Sequence, residues 1–316
     1  MMESVRFDDF EACASALLSW EIEAIQLDRG RFEAELIQAR SPEGLVSEIT
    51  FGRALHQRGE PPRGLRTVGV PADPTQRIFF RNHWADANQL MFFPRGSEMD
   101  SVSVPGFHVF SVSFEEDRLS EISQAFGGPD YTGLLAGREV VDCSPAVMQS
   151  VRHAIHQFMS SSVRREDADA QTELAHRDSG LDLLQIITEV LTLDEDRRPP
   201  EPARAREIAV RRSLDLIDAA NREPVSVVDL CRAAGVSRRT LEYAFRERFE
   251  LSPKAYMLAR RLDGVRAELR QDHGGQSITS IANRWGFDHL SRFAASYRRQ
   301  FGELPSETMR AGNPLR

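Results

Sequence analysis

"GVSRRTLEYAF" (residues 235–245) and "GFDHLSRFAASY" (286–297) decide how the C-terminal third of the chain is read. Each opens on a glycine, which can take the left-handed conformation that ends a helix, and each runs on into a helical stripe. Upstream of these glycines the two copies align at an offset of 51, "SVVDLCRAAG" (226–235) with "SITSIANRWG" (277–286). Ser226 pairs with Ser277, Val227 with Ile278, Leu230 with Ile281, Cys231 with Ala282 and Gly235 with Gly286. Each serine suits a helix N-cap, and the small residues at 231 and 282 let another helix come close. Downstream the offset becomes 52, so the second copy has one extra residue at its turn. Leu241, Phe245, Phe249 and Pro253 then match Phe293, Tyr297, Phe301 and Pro305. Spacing of i, i+4, i+8 puts three large apolar groups on one core-facing stripe, and the proline follows the helix end, which it cannot extend.

A repeat of this kind predicts two helix-turn-helix units, about 226–249 and 277–301, joined by a helix at about 253–271. Successive major-groove windows on one face of B-DNA lie about 34 Å apart, and a helix of roughly 18 residues spans about 27 Å. A rigid joint of that length sets two reading helices roughly one DNA turn apart.

Charge divides the chain at the same place. The 316 residues carry a net −8, but residues 1–202 hold 19 Arg/Lys against 34 Asp/Glu, and residues 203–316 hold 21 against 14. A −15 portion is thus joined to a +7 portion, and only the second attracts phosphate. The length suits two domains. No apolar run of about 18 residues is present and the opening "MMESVRFDDF" is acidic, so the expectation is a cytoplasmic protein without a membrane span. Cys13, Cys143 and Cys231 are odd in number and far apart, which suggests core thiols rather than a disulfide framework or a zinc knuckle.

"DEDRRPPEPARA" (194–205) interrupts two helical patterns, and its prolines at 199, 200 and 202 bar any helix from crossing. The expected division is a β-rich domain at 1–193 for effector binding and dimerisation, a linker at 194–203, and a DNA-binding domain at 204–316. Within the first, "RFEAELIQA", "GLVSEITFG", "LRTVGV", "QRIFFRNHW", "NQLMFFP" and "FHVFSVSF" read as short strands separated by Pro, Gly and Asp turns. Helices are expected at 8–20, 115–126, 145–160 and about 167–193. The fold class is α+β: a β-rich, cupin or jelly-roll-like domain with flanking helices, then an all-α domain. Leu184, Ile187 and Leu191 recur at helical spacing; the stripe either packs on its own β domain or seals a dimer.

On "GVSRRTLEYAFRERFELSP" and, more specifically, "IANRWGFDHLSRFAASYRRQFGELPSE", residues 205–312 resemble the AraC/XylS family of bacterial transcription regulators. Over the first 193 residues the likeness is looser: "WEIEAIQLDRGRFEAEL" is faintly similar to members of the ethanolamine-regulator type. The resemblance implies that the second helix of each unit enters the major groove. With Leu241, Ala244 and Phe245 inward, the first presents Ser237, Arg238, Arg239, Thr240, Glu242 and Tyr243. The second presents His289, Ser291, Arg292, Ala295, Ser296 and Arg299, with Arg298 towards the backbone side. Arg238 or Arg239 either forks onto guanine O6 and N7 or holds phosphate. Ala295 stands where family members use a longer side chain, which implies a less direct reading there. The partners implied are promoter DNA, an unknown small-molecule effector, RNA polymerase and a second copy of the chain.

In the β region His56, His83 and His108 lie 27 and 25 residues apart, unlike the closely paired histidines of cupin metal sites, so no metal or cofactor is expected. No Ser/His/Asp motif, Gly-rich phosphate loop or HExxH occurs, and enzymatic activity has no support in the sequence. Phe80, Trp84 and His108, from "RIFFRNHW" and "GFHVF", are candidates to line an effector pocket. Two other readings stay open: a regulator without ligand, whose first domain only dimerises or docks a protein, and an enzyme fused to a DNA-binding domain. Alkyl-transfer repair proteins of that last kind need a cysteine cluster that Cys13 and Cys143 do not offer.

Overall fold

The computed structural model describes residues 4–80, 83–93, 99–125, 140–161, 170–193, 204–220, 222–223, 225–271 and 276–312. The 194–203 linker predicted from sequence lies outside them. The chain divides into two compact units. One comprises Met1–Glu23, Glu33–Gly52 and Gln57–Pro199; the other comprises Ala24–Phe32, Arg53–His56 and Pro200–Arg316.

The strands are β1 (Val5–Phe7), β2 (Glu21–Gln26), β3 (Ala34–Ser41), β4 (Gly44–Phe51), β5 (Leu55–Glu60), β6 (Arg66–Pro71), β7 (Ile78–Phe80), β8 (His83–Ala85), β9 (Gln89–Phe93), β10 (Met99–Ser103), β11 (Phe107–Phe114) and β12 (Val140–Asp142). One sheet runs β1-β3-β4-β11-β6-β9-β12, and a second runs β2-β5-β10-β7-β8. Antiparallel pairing sets Ser111 of β11 opposite both Ser47 of β4 and Gly69 of β6. Strand alternation then gives the larger sheet two different faces. Val46, Val68, Val70, Phe92, Phe110 and Val112 point one way, into the main core. They pack there with α2 (Glu116–Ala125), α3 (Pro145–Ser161) and α4 (Ala170–Leu193).

The Leu184, Ile187 and Leu191 stripe of α4 belongs to this core and is 0–2% exposed, so its own unit already covers it. The helix expected at 8–20 is shorter. α1 (Phe10–Ala16) is capped by Asp9, whose side chain accepts from the Ala12 N–H, and stops where Leu17 turns extended. The chain turns again at Ser19, φ 64°, ahead of β2, inside the range expected to be helical. Cys13 is fully buried, and burial pushes its thiol up to about 12, where it is no nucleophile.

The second unit contains α5 (Arg204–Ala219), α6 (Val227–Ala234), α7 (Arg238–Phe249), α8 (Pro253–Arg270), α9 (Ile278–Arg284), α10 (Leu290–Phe301) and α11 (Pro305–Gly312). α6 with α7 and α9 with α10 are the two predicted helix-turn-helix units, and the 18-residue α8 joins them. The predicted stripes are the cores of both: Leu241, Phe245 and Phe249 are 0–2% exposed, as are Phe293, Tyr297 and Phe301. No described helix is long and apolar enough to cross a membrane.

Candidate nucleic-acid interface

In the first helix-turn-helix, α6 starts with a capping box. The Ser226 hydroxyl accepts from the Asp229 N–H, and the Asp229 carboxylate accepts from the Ser226 N–H. Hydrogen bonds from Ser226 hold the Asp229 carboxyl below its ordinary range. α6 ends on Gly235 at φ 68°, and two residues later Ser237 caps α7 by accepting from the Thr240 N–H. The turn is therefore closed at both ends by residues that belong to it.

In the second unit α9 ends at Arg284 and α10 starts at Leu290, so the turn is longer, as the shift in offset predicts. Gly286 sits at φ 71°. His289 occupies the N-cap without a side-chain hydrogen bond. Support comes instead from α8. Arg261 donates to the carbonyls of Trp285 (2.6 Å) and Gly286, and its guanidinium stacks on Phe287 at 4.3 Å. Burial lowers the pKa of this arginine, which nevertheless faces the carbonyl end of α9. The Trp285 indole donates to Glu268 at 2.7 Å, and Arg284 pairs with the same carboxylate. Burial alone would raise the Glu268 carboxyl; the bonds from Trp285 and Arg284, with Arg222 at 3.8 Å, hold it below its ordinary value. Gly264 makes the arrangement possible. A Cβ there would lie 2.0 Å from the Trp285 ring.

The two outward faces differ. On α7, Ser237, Arg238, Arg239 and Tyr243 are exposed, while Thr240 and Glu242 are half-buried. Arg238 is engaged by Glu242 at 3.1 Å, one turn on, whereas Arg239 has no carboxylate partner among the described residues. Arg206 of α5 lies over the Tyr243 ring at 5.1 Å and pairs with Glu247 at 2.9 Å, which ties Tyr243 to its own unit. On α10, His289, Ser291, Arg292, Ala295, Arg298 and Arg299 are exposed and Ser296 is half-buried. Its three arginines have no carboxylate partner among the described residues.

Periodicity gave no sign of the short stretches that complete this unit. His56 is 1% exposed, and its Nδ1 lies 2.8 Å from the Tyr256 hydroxyl of α8, with its ring 5.0 Å from that of Phe249. It is a core histidine. The three effector-pocket candidates fall in separate contacts. Phe80 meets Phe93 edge-on at 4.8 Å, Trp84 meets Phe79 at 5.6 Å with Arg77 over its ring, and His108 bonds Glu48 at 2.7 Å. His83 lies in β8, and its side chain is outside the described residues. Among the described residues no three His, Cys, Asp or Glu side chains come together as a metal site.

Two helices with exposed basic faces, set on repeated cores and joined by one helix, define a paired helix-turn-helix domain. The family described as "Helix-turn-helix domain" matches residues 230–311. The probable thc operon regulatory protein of Rhodococcus erythropolis is 36% identical over 111 residues, 35% of this chain and 33% of that protein. The XylDLEGF operon transcriptional activator of Pseudomonas putida is 39% identical over 100 residues, 31% of each chain. The matched stretch is about a third of the length of these curated relatives. A crystal structure of a probable AraC family transcriptional regulator from Rhodopseudomonas palustris is 35% identical, covering 33% of this chain and 96% of that one, with a TM-score of 0.31. The C-terminal domain is of the AraC type, the kind shared with XylS/AraC-type transcription regulators.

Proposed function

We propose that the protein is a one-component, sequence-specific transcription regulator whose first unit senses a small molecule. The observation that supports the DNA-binding part is the duplicated unit: Arg239 on α7, and Arg292 and Arg299 on α10, lie exposed on helices whose other faces are buried apolar stripes, and an 18-residue helix joins the two units. Exposed arginines on helices of this kind supply both phosphate attraction and bidentate reading of guanine. The test is a binding titration of the full chain at fixed salt, selected site against random DNA. A specific affinity at least about a thousandfold above the random one is expected; equal affinities would refute the reading.

Sensing is supported by the face of the seven-stranded sheet that points away from α2–α4. Gln38, Ser47, Ser111 and Gly69 form one row across four strands, with Thr67 and Ser113 beside it. Ser47, Thr67, Ser111 and Ser113 are buried, so this is a polar interior rather than a wetted surface. Phe80 of the second sheet reaches it through Phe93, and Trp20 meets the same Phe93 at 5.6 Å. Ser47 Oγ, Gln57 Nε2 and Trp20 Nε1 are buried without a hydrogen-bond partner among the described residues. Buried groups of that kind cost about 1–3 kcal/mol each when left unmet, and a polar ligand between the sheets would meet them. Phe80 stays in the proposed site; Trp84, paired with Phe79, and His108, on the Phe110 face of its sheet, point away from it. A metabolite that raises the melting temperature, with the rise abolished by Gln57→Leu, supports sensing; a library that never stabilises the chain favours the ligand-free alternative. Homodimerisation and contact with RNA polymerase are part of the proposal.

A further inference from the structure

The α7 and α10 helices both close on a left-handed residue: Glu250 at φ 57° donates its N–H to the Arg246 carbonyl, and Gly302 at φ 73° donates its N–H to that of Arg298; α10 has a further set of bonds that α7 lacks. The last four carbonyls of any α-helix lack intrahelical donors. In α10 one of them, that of Gln300, is met from far away in sequence but within the same unit. The Gly30 N–H donates to it at 2.9 Å, and Gln26 Nε2 donates to it at 3.0 Å, 274 residues apart. The Gln300 side chain answers, its Nε2 donating to the carbonyls of Gln26 (2.8 Å) and Asp28 (3.0 Å). Two amides thus bond in both directions, and both are buried, Gln26 at 3% and Gln300 at 9% exposure. The repeat places Arg248 in the first unit where Gln300 stands in the second, so the first copy lacks this device.

The stretch that supplies these groups is itself held firmly. Gln26 N–H donates to Asp263 of α8 at 3.2 Å, and Gln26 Nε2 also reaches the carbonyls of Asp28 and Gly30. Asp28 accepts from the Ala54 N–H at 2.9 Å, and burial raises the pKa of its carboxyl against the pull of that bond and of Arg53. Arg53 donates to the carbonyls of Arg29 and Arg31, and a Cβ on Gly30, at φ 127°, would lie 2.8 Å from its guanidinium. His56, bonded to Tyr256, fixes the end of the 53–56 stretch to α8. Gly302, which ends α10 at φ 73°, lies against Arg31. The face of α10 that carries Ser291, Arg292, Ala295 and Arg299 is left exposed. The stretch therefore orients the helix without masking it.

We propose that residues 24–32 are a working part of the second DNA reader, and that Gln26 is a positioning residue which sets α10 in the groove through Gln300. This rests on the reading of α10 as a DNA-recognition helix. The chemistry sorts the variants. Gln26→Ala removes the donor; Gln26→Glu, of nearly the same size, sets an anionic oxygen against three carbonyls and should do more damage.

The test is footprinting and binding titration of the full chain on its selected site, with Gln26→Ala, Gln26→Glu, Gln300→Ala and the Gln26→Ala/Gln300→Ala pair. Wild type should protect two windows. The expected result is a loss of about tenfold for Gln26→Ala, confined to the window α10 reads, a larger loss for Gln26→Glu, and a double variant no worse than the worse single. The α7 window, kept in every variant, serves as the folding control. Wild-type protection of both windows with no loss, additive losses, equal losses at both windows, or tighter binding in the variants would overturn the positioning role alone. Protection of only the α7 window by wild type would overturn the reading of α10 itself, and this inference with it.

Discussion

The two helix-turn-helix units share a buried stripe, a serine cap on the first helix and a left-handed residue at the end of the second, and differ at the turn between the helices and in what supports it. The turn of the first is self-contained: a capping box opens α6, Gly235 closes it, and Ser237 caps α7. The second has an uncapped reading helix and borrows its support, from Arg261, Gly264 and Glu268 of α8 and from residues 24–32. Sequence repetition preserved the buried stripe because packing tolerates few alternatives. The helix ends that face the turn were free to diverge, since an orphan carbonyl or N–H can be satisfied by any nearby donor or acceptor. The turn and second helix of the second unit can therefore be perturbed from a distance, through α8 and residues 24–32.

The comparison is broken most severely through the part the units share. Phe245→Ala and Phe293→Ala each remove a buried ring, and each should cost about 3–5 kcal/mol. Chemical denaturation with hydrogen exchange on α7 and α10 checks where the loss falls. A loss confined to the mutated unit keeps the two cores separate; loosening of both helices in either variant makes them one cooperative core.

Gly264→Ala probes the borrowed support. A mid-helix Gly→Ala exchange normally stabilises by about 0.5–1 kcal/mol. Here the new methyl meets Trp285, and a loss of about 1–3 kcal/mol is expected, with faster exchange in α9 and α10 and none in α6 and α7. A raised melting temperature would show that the indole moves aside freely.

Arg239→Ala should weaken binding to the selected site by about 1–3 kcal/mol and to random DNA by much less, read in titrations at one salt concentration. Equal losses on both DNAs would leave Arg239 a phosphate contact.

The smallest effects come from the caps. Ser237→Ala should lose about 1 kcal/mol and His289→Ser should gain a part of that, both followed by thermal melting. If His289→Ser gains nothing, the wider second turn does not bring a cap into reach of its helix.

The all-α unit was legible because helical period and repeat reinforce each other, and the inserted turn residue even marked where the units differ. In the β-rich unit the strands of the larger sheet with a continuous apolar face, β3, β4, β6, β9 and β11, were readable. Those of the smaller sheet were mostly not. β5 (LHQRGE) and β10 (MDSVS) carry Gln57 and Ser101 inward, which bond each other at 3.1 Å, so their buried positions do not read as apolar. β1 and β12 are three residues each, too short for any period to register. The outward residues of both reading helices followed from their stripes. The Gln26 and Gln300 pair had no local signal, since two polar residues become a buried unit only when the fold joins them.

The central claim, a single DNA site read in two adjacent major-groove windows by α7 and α10, is tested most directly by helical phasing. Inserting about 5 base pairs between the two protected windows turns the second to the opposite face of the duplex, and inserting about 10 restores the face but not the distance. The account predicts that the full chain loses the α10 window with either insertion and keeps the α7 window, because α8 fixes both angle and reach. Unchanged affinity and two-window protection with the 5-base-pair insertion would contradict it.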